Sequence, residues 1–191
     1  LRSFLKSTPK KNCIVFVGPS DTGKSYFCNT LIKFVKGKVI SLMNRSSPFW
    51  LQPMLDAKMG FLDDCTYPGW QYLDVNMRGA LDGNAVCVDA KHRAPTQITL
   101  PPMLITTNFD VSLEESLKYI CSRLQIIKFP NKFPLREDGS VIYEITNKSW
   151  KSFFSKFGNQ IDLSPRTDSQ DESGGPNKAF RCTRGQTNDS V

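Results

Sequence analysis

Apolar positions along this chain recur in two rhythms. Short runs that are apolar throughout and break at glycine or proline predict buried strands, whereas apolar residues spaced three and four apart predict helices. The first rhythm appears in "CIVFV" (13–17), "KVISL" (38–42), "AKMGFLDD" (57–64), "PPMLITTN" (101–108) and "LQIIKF" (124–129). Two strand-like runs flank a basic tip in "AVCVDAKHRAPTQITL" (85–100). The second rhythm places Phe27, Leu31, Phe34 and Val35 on one helical face, with a stop at Gly37. It also aligns Trp70, Leu73, Met77 and Leu81 before a stop at Asp82-Gly83, and Trp150, Phe153, Phe154 and Phe157 in "NKSWKSFFSKFGNQI" (147–161). "SLEESLKYICSRL" (112–124) reads as a helix, with Ser112 and Glu115 spaced as a capping box. "EDGSVIYEI" (137–145) reads as a hairpin.

Strands alternating with helices predict an α/β sandwich around a mainly parallel sheet. The opening twelve residues, without an initiator Met, read as the end of a linker from an upstream region, and the chain as a fragment. Residues 13–163 carry the patterned domain. From Ser164 the chain turns polar, and apolar content too low to offset ordering entropy predicts a flexible tail over 164–191.

Composition narrows the function. The chain has 191 residues, 39% hydrophobic and 23% charged, with a net charge of +7 that favours an anionic partner such as nucleic acid. No apolar run approaches the roughly 18 residues a membrane helix needs. The 6 cysteines are scattered without a C-x-x-C pair and His92 is the sole histidine, so zinc chemistry is disfavoured and reduced, mostly buried thiols are expected.

The strongest chemical signal is "GPSDTGKS", a full G-x-x-x-x-G-K-[ST] phosphate loop made of Gly18, Pro19, Ser20, Asp21, Thr22, Gly23, Lys24 and Ser25. Glycines let successive backbone N–H groups turn inward as a nest for phosphate oxygens, and the following helix adds its positive N-terminal end. Lys24 is suited to the outer phosphates and the Ser25 hydroxyl to Mg²⁺. An acid at the end of a neighbouring strand completes such a site. Asp63 is placed to hold Mg²⁺ through water, and Asp64 to orient or deprotonate the attacking water. Asn108, closing "LITTN", offers a neutral amide near the terminal phosphate, although strand-ending Asn is also common in turns. Arg123 closes a helix outside any obvious pairing. Its guanidinium suits a phosphoryl transition state, often across a subunit boundary, and equally suits a surface salt bridge.

Neighbouring classes fit poorly. A guanine reader needs Asn-Lys-x-Asp, and the Asn-Lys pairs here continue as "NKFP", "NKSW" and "NKAF". A small-molecule kinase needs an arginine-rich lid, and the arginines are isolated.

The stretches "PKKNCIVFVGPSDTGKSYFCNTLIKF", "FWLQPMLDAKMGFLDD", "MRGALDGN", "DAKHRAPTQITLPPMLITTN" and "CSRLQIIKF" together resemble the papillomavirus superfamily III helicase domain, of the AAA+ class, from Pro9 to about Leu163. The resemblance implies an AAA+-like phosphate-loop sandwich with a protruding β-hairpin. It implies an ATP- and Mg²⁺-dependent helicase that unwinds the viral origin and fork 3′ to 5′ as a homo-hexameric ring, single or double, in the host nucleus. Its partners would be single-stranded and origin DNA, the viral origin-binding activator and host replication factors, with no membrane. In that scheme Arg123 is an arginine finger serving the next subunit, and Lys10, Arg78 and Tyr119 are further nucleotide-contacting or sensing positions. Lys91 and His92 tip the hairpin that grips DNA. Without the resemblance, the tip is a polar turn. Two other readings compete: a nucleotide-switched docking module for the activator, and an AAA+ machine acting on protein. The basic tip disfavours the latter, since peptide-threading pores usually present aromatic residues.

Overall fold

The computed structural model describes residues 1–161. In chain order the elements are α1 (Arg2–Leu5), β1 (Cys13–Val17), α2 (Lys24–Val35), β2 (Lys38–Ile40), β3 (Gly60–Leu62), α3 (Tyr67–Asn76), α4 (Arg78–Leu81), β4 (Ala85–Val88), β5 (Thr96–Thr99), β6 (Met103–Thr107), α5 (Lys118–Cys121), β7 (Gln125–Lys128) and α6 (Asn147–Ile161). Five strands form one parallel sheet in the order β2-β3-β6-β1-β7, and β4 and β5 pair antiparallel as a separate hairpin. This is the α/β sandwich with a parallel sheet that the pattern predicts, with the separate hairpin that the resemblance implies.

The sheet is sandwiched because its strands are apolar on both faces, as a parallel sheet covered on both sides requires. Side chains alternate along each strand. Cys13, Val15 and Val17 of β1 join Met103 and Ile105 of β6 and Leu62 of β3 in one core with Trp70, Leu73, Met77 and Leu81. Ile14, Phe16, Leu104 and Phe61 point the other way, against Cys28, Leu31 and Ile32 of α2 and Trp150 of α6. Residues 1–12 supply Phe4, fully buried in this second core.

Three local expectations give way. The helix spanning 67–84 breaks at Met77, whose backbone (φ −119°, ψ 1°) leaves the helical region, while Asn76 Nδ2 donates to Tyr72 O at 2.9 Å. The apolar face survives the break, because Trp70, Leu73, Met77 and Leu81 are all buried. The Ser112/Glu115 capping box does not form. The Asp110 and Glu114 side chains accept from Ser112 N (3.1 Å) and Ser116 N (3.4 Å) instead, holding two successive 3₁₀ turns and leaving α5 only one turn long. The expected hairpin at 137–145 reduces to a turn at Gly139 and a single bridge, Leu135 to Val141. The polar tail expected over 164–191 lies outside the described residues.

Candidate functional site

The phosphate loop leaves the C-terminal end of β1 and runs into α2. Gly18 sits so close to Phe129 that a Cβ there would be 2.1 Å from the Phe129 carbonyl oxygen, which excludes any side chain. Gly23, at φ +81°, turns the chain into the helix as its N-cap. Lys24 is only 6% exposed. Its ammonium donates to Gly18 O (2.8 Å), Pro19 O (2.6 Å), Thr22 Oγ1 (3.1 Å) and Asn108 Oδ1 (3.1 Å), so the loop's own carbonyls surround the cation. Desolvation by burial pushes the Lys24 pKa below its usual value, and Asp64, Asp21 and Asp63 pull it back. Ser20 to Tyr26, with Asp63, Asp64, Thr106 and Asn108, line a cleft of about 440 Å³.

The acids meet this loop because β6 pairs with β1 and β3 with β6, all parallel, which brings their C-terminal ends to one edge. Ser25 Oγ donates to Asp63 Oδ1 at 2.7 Å. Thr106 Oγ1 donates to the same oxygen at 2.5 Å and accepts from Asp64 N at 2.8 Å, fixing both acids from the next strand. Asn108 Nδ2 donates to Asp64 Oδ1 at 3.3 Å, so this amide touches both Lys24 and Asp64. Asp64 has φ +51°, a sparsely populated conformation for a residue with a side chain and one that recurs at functional sites. Lys24, Ser25, Asp63, Asp64 and Asn108 are thus brought together. The hard oxygens of Ser25 and Asp63 suit Mg²⁺, which keeps several waters and takes few protein ligands. No cluster of three or more His, Cys, Asp or Glu suited to a metal occurs among the described residues.

Thr106 and its neighbour Thr107 escaped the sequence reading. Thr107 Oγ1 donates to Cys65 O (2.6 Å) and accepts from Trp70 Nε1 (3.3 Å), tying the start of α3 to the site. The signal for both was two adjacent polar residues ending an otherwise apolar buried strand.

Lys10, Arg78, Tyr119 and Arg123 lie elsewhere. Lys10 precedes β1 and Arg123 precedes β7, and Gln125 Nε2 donates to Lys11 O, so these two enter the sheet at its N-terminal edge. A five-residue strand, about 17 Å, separates that edge from the phosphate loop. Arg78 stacks its guanidinium over the Tyr119 ring (5.5 Å) and lies 3.6 Å from Asp74 Oδ1. Pro9, next to Lys10, packs beside Gly83 just past α4. Arg123, for which the sequence left a salt bridge open beside the finger role, is paired within its own chain: Nη2 contacts Asp82 Oδ2 at 2.8 Å and Nη1 donates to Tyr119 O. The reason is local, since the Asp82-Gly83 stop after α4 delivers a carboxylate to the end of α5. Arg123 Nε and Asp82 Oδ1 nonetheless remain buried without a hydrogen-bond partner among the described residues.

The hairpin presents Lys91 and His92, both exposed, with His92 at φ +59°. Lys91 N donates to Gln52 Oε1 at 3.4 Å and its ammonium lies 6.0 Å from the Phe49 ring, a contact the sequence reading missed. Cys13, Cys28 and Cys65 are buried as expected, while Cys87 on β4 is exposed. Burial raises the buried thiols, Cys65 to about 12. Among the described residues no helix is long and apolar enough to cross a membrane.

Comparison with known proteins adds the following. The papillomavirus helicase family model matches residues 1–182. Replication protein E1 of human papillomavirus 65 is 60% identical over all 191 residues, and that of human papillomavirus type 60 is 58% identical over the same span. In each case the chain spans 31% of the relative's length. The X-ray structure of JCV helicase matches with a TM-score of 0.54 and 26% identity, covering 69% of this chain and 39% of that one. The apo C-terminal region of NrS-1 shares the fold at a TM-score of 0.54 and 14% identity, covering 84% of this chain and 38% of that one.

Proposed function

The chain belongs to the papillomavirus helicase family, and from that premise we propose that it is the ATP-hydrolysing motor of a DNA helicase that acts in viral replication in the host nucleus. Copies assemble head to tail as a hexameric ring, single or double, around one DNA strand and move 3′ to 5′. A head-to-tail contact that closes by rotation puts one edge of each copy against the opposite edge of the next. The observation that supports this is the separation of two sets on one chain. Lys24, Ser25, Asp63, Asp64 and Asn108 share the C-terminal edge of the sheet, whereas Lys10, Arg78, Tyr119 and Arg123 lie around the other.

In the working site, Lys24 exchanges the carbonyls of Gly18 and Pro19 for phosphate oxygens. The loop amides from Ser20 to Ser25 hold the remaining phosphates. Ser25 and Asp63 would hold Mg²⁺, which would supply positive charge to offset that of the phosphates. Asp64 takes the proton of the attacking water and Asn108 aligns that water without adding charge. Arg123 of the adjoining copy then leaves Asp82 and stabilises the charge that develops on the transferred phosphoryl, with Lys10, Arg78 and Tyr119 beside it. Lys91 and His92 grip the sugar-phosphate chain without reading bases, and their movement escorts DNA through the ring. The origin-binding activator and host replication factors are its protein partners.

The test is ATP hydrolysis with and without single-stranded DNA, together with unwinding of a forked duplex, for wild type and Lys91→Ala. The expected outcome is hydrolysis stimulated by DNA in wild type, with stimulation and unwinding both lost in the variant. Hydrolysis indifferent to DNA in both proteins would favour the docking-module reading instead.

A further inference from the structure

Between β7 and α6 the chain runs back over the start of α2. Phe133 N donates to Asp21 O at 2.7 Å, and the Phe133 ring lies directly on Gly23, where a Cβ would come within 2.6 Å of Cδ2. The ring sits 5.6 Å from that of Tyr26 at an interplanar angle of 57°. Further along the same segment, Ile145 N donates to Tyr26 Oη at 3.0 Å. Tyr26 lines the phosphate cleft, and both rings are half-buried.

The direction of a bound nucleotide follows from the site and rests on the nucleotide reading above. Lys24 reaching Asn108, and Asn108 reaching Asp64, mark the end where a terminal phosphate belongs. The inner phosphates and the nucleoside therefore lead away from Asn108, past the first turn of α2. Tyr26 and Phe133 are the aromatic surfaces met on that path. Aromatic faces hold nucleobases by stacking, which every base supports. The Tyr26 hydroxyl oxygen accepts the Ile145 amide and the Phe133 amide is spent on Asp21, so beyond the Tyr26 O–H the pair offers ring faces.

The geometry points to Tyr26 and Phe133 as the wall on which the nucleobase stacks, a binding contact with weak preference among bases. The strap over 129–145 thereby joins the nucleotide site to α6, which it leads into.

The experiment titrates Mg-ATP, Mg-GTP and inorganic tripolyphosphate into the purified chain as wild type, Phe133→Leu and Tyr26→Leu. Leucine keeps an apolar cover over Gly23 and in the Tyr26 position, and thermal melting checks that each variant folds. ATP and GTP are expected to bind about tenfold or more weakly to both variants, the loss expected of one stacked base. Tripolyphosphate affinity should stay within about twofold. Equal weakening of tripolyphosphate would make the rings mere props of the loop and overturn the proposal. Unchanged ATP affinity, or a loss confined to one nucleotide, would overturn it as well. Wild type that binds neither ATP nor tripolyphosphate would instead refute the nucleotide reading, and the stacking wall with it.

Discussion

Asp64 carries both a strained backbone and the proposed base, and the two roles can be separated. A left-handed φ of +51° costs most side chains about 1 kcal/mol or more, but Asn tolerates it because a short polar side chain bonds locally. Asp64→Asn is therefore expected to melt within a few degrees of wild type and to retain ATP binding. Its hydrolysis should fall by roughly 10²- to 10⁴-fold, the usual contribution of a positioned base. Steady-state turnover beside a thermal melt checks this, and near-normal turnover would remove Asp64 from the chemistry. The same scale shows what a motif conceals. "GKS" and "LDD" name the candidate residues directly, but Thr106, which fixes both acids, sits in an apolar strand and belongs to no motif. Asp82 was equally invisible, because its bond to Arg123 joins residues 41 positions apart.

At the scale of elements, strands were legible where they are buried on both faces. β1 runs over the residues its apolar run predicts, and the "TT" ending of β6 falls at the site edge. Helices were legible where an apolar face packs on the core, as in α6, whose Asn147–Ile161 span follows its periodicity, with Trp150 and Ile161 buried and Phe153, Phe154 and Phe157 partly so. Trp150 of α6 is 6% exposed, packs edge-on against Phe27 of α2 at 5.3 Å and donates Nε1 to Thr30 Oγ1 at 3.3 Å. Trp150→Ala should cost about 3–5 kcal/mol, as large aromatic deletions in cores do. Denaturant unfolding measures it, and a loss under about 1 kcal/mol would mean that α6 is not part of the cooperative core. Where several side chains compete for the same backbone donors, pattern failed. Between 110 and 117 the carboxylates of Asp110 and Glu114 win over the expected capping box, and Lys128, 3.0 Å from Asp110, anchors the first of them from the edge strand.

For the molecule as a whole, the parallel sheet sets an axis. Its C-terminal edge gathers the phosphate loop, both acids and Asn108, and its N-terminal edge is approached by Lys10 and Arg123. The sequence named these residues without their sides, since sidedness follows from strand order and only coordinates supply that. Asp82 holds Arg123 towards the edge opposite the phosphate loop, and in the proposed ring its guanidinium serves the phosphates of the adjoining copy. The most direct test mixes two variants in the presence of single-stranded DNA. Lys24→Ala lacks the phosphate-loop cation and Arg123→Ala lacks the finger, so each alone should hydrolyse ATP poorly, the finger's loss costing on the order of 10³-fold or more. Mixed in equal amounts, the two should recover up to about a quarter of wild-type turnover, because roughly that share of head-to-tail contacts pairs an intact loop with an intact finger. Turnover in the mixture no higher than the average of the two separate variants would contradict completion of the site by a neighbouring copy.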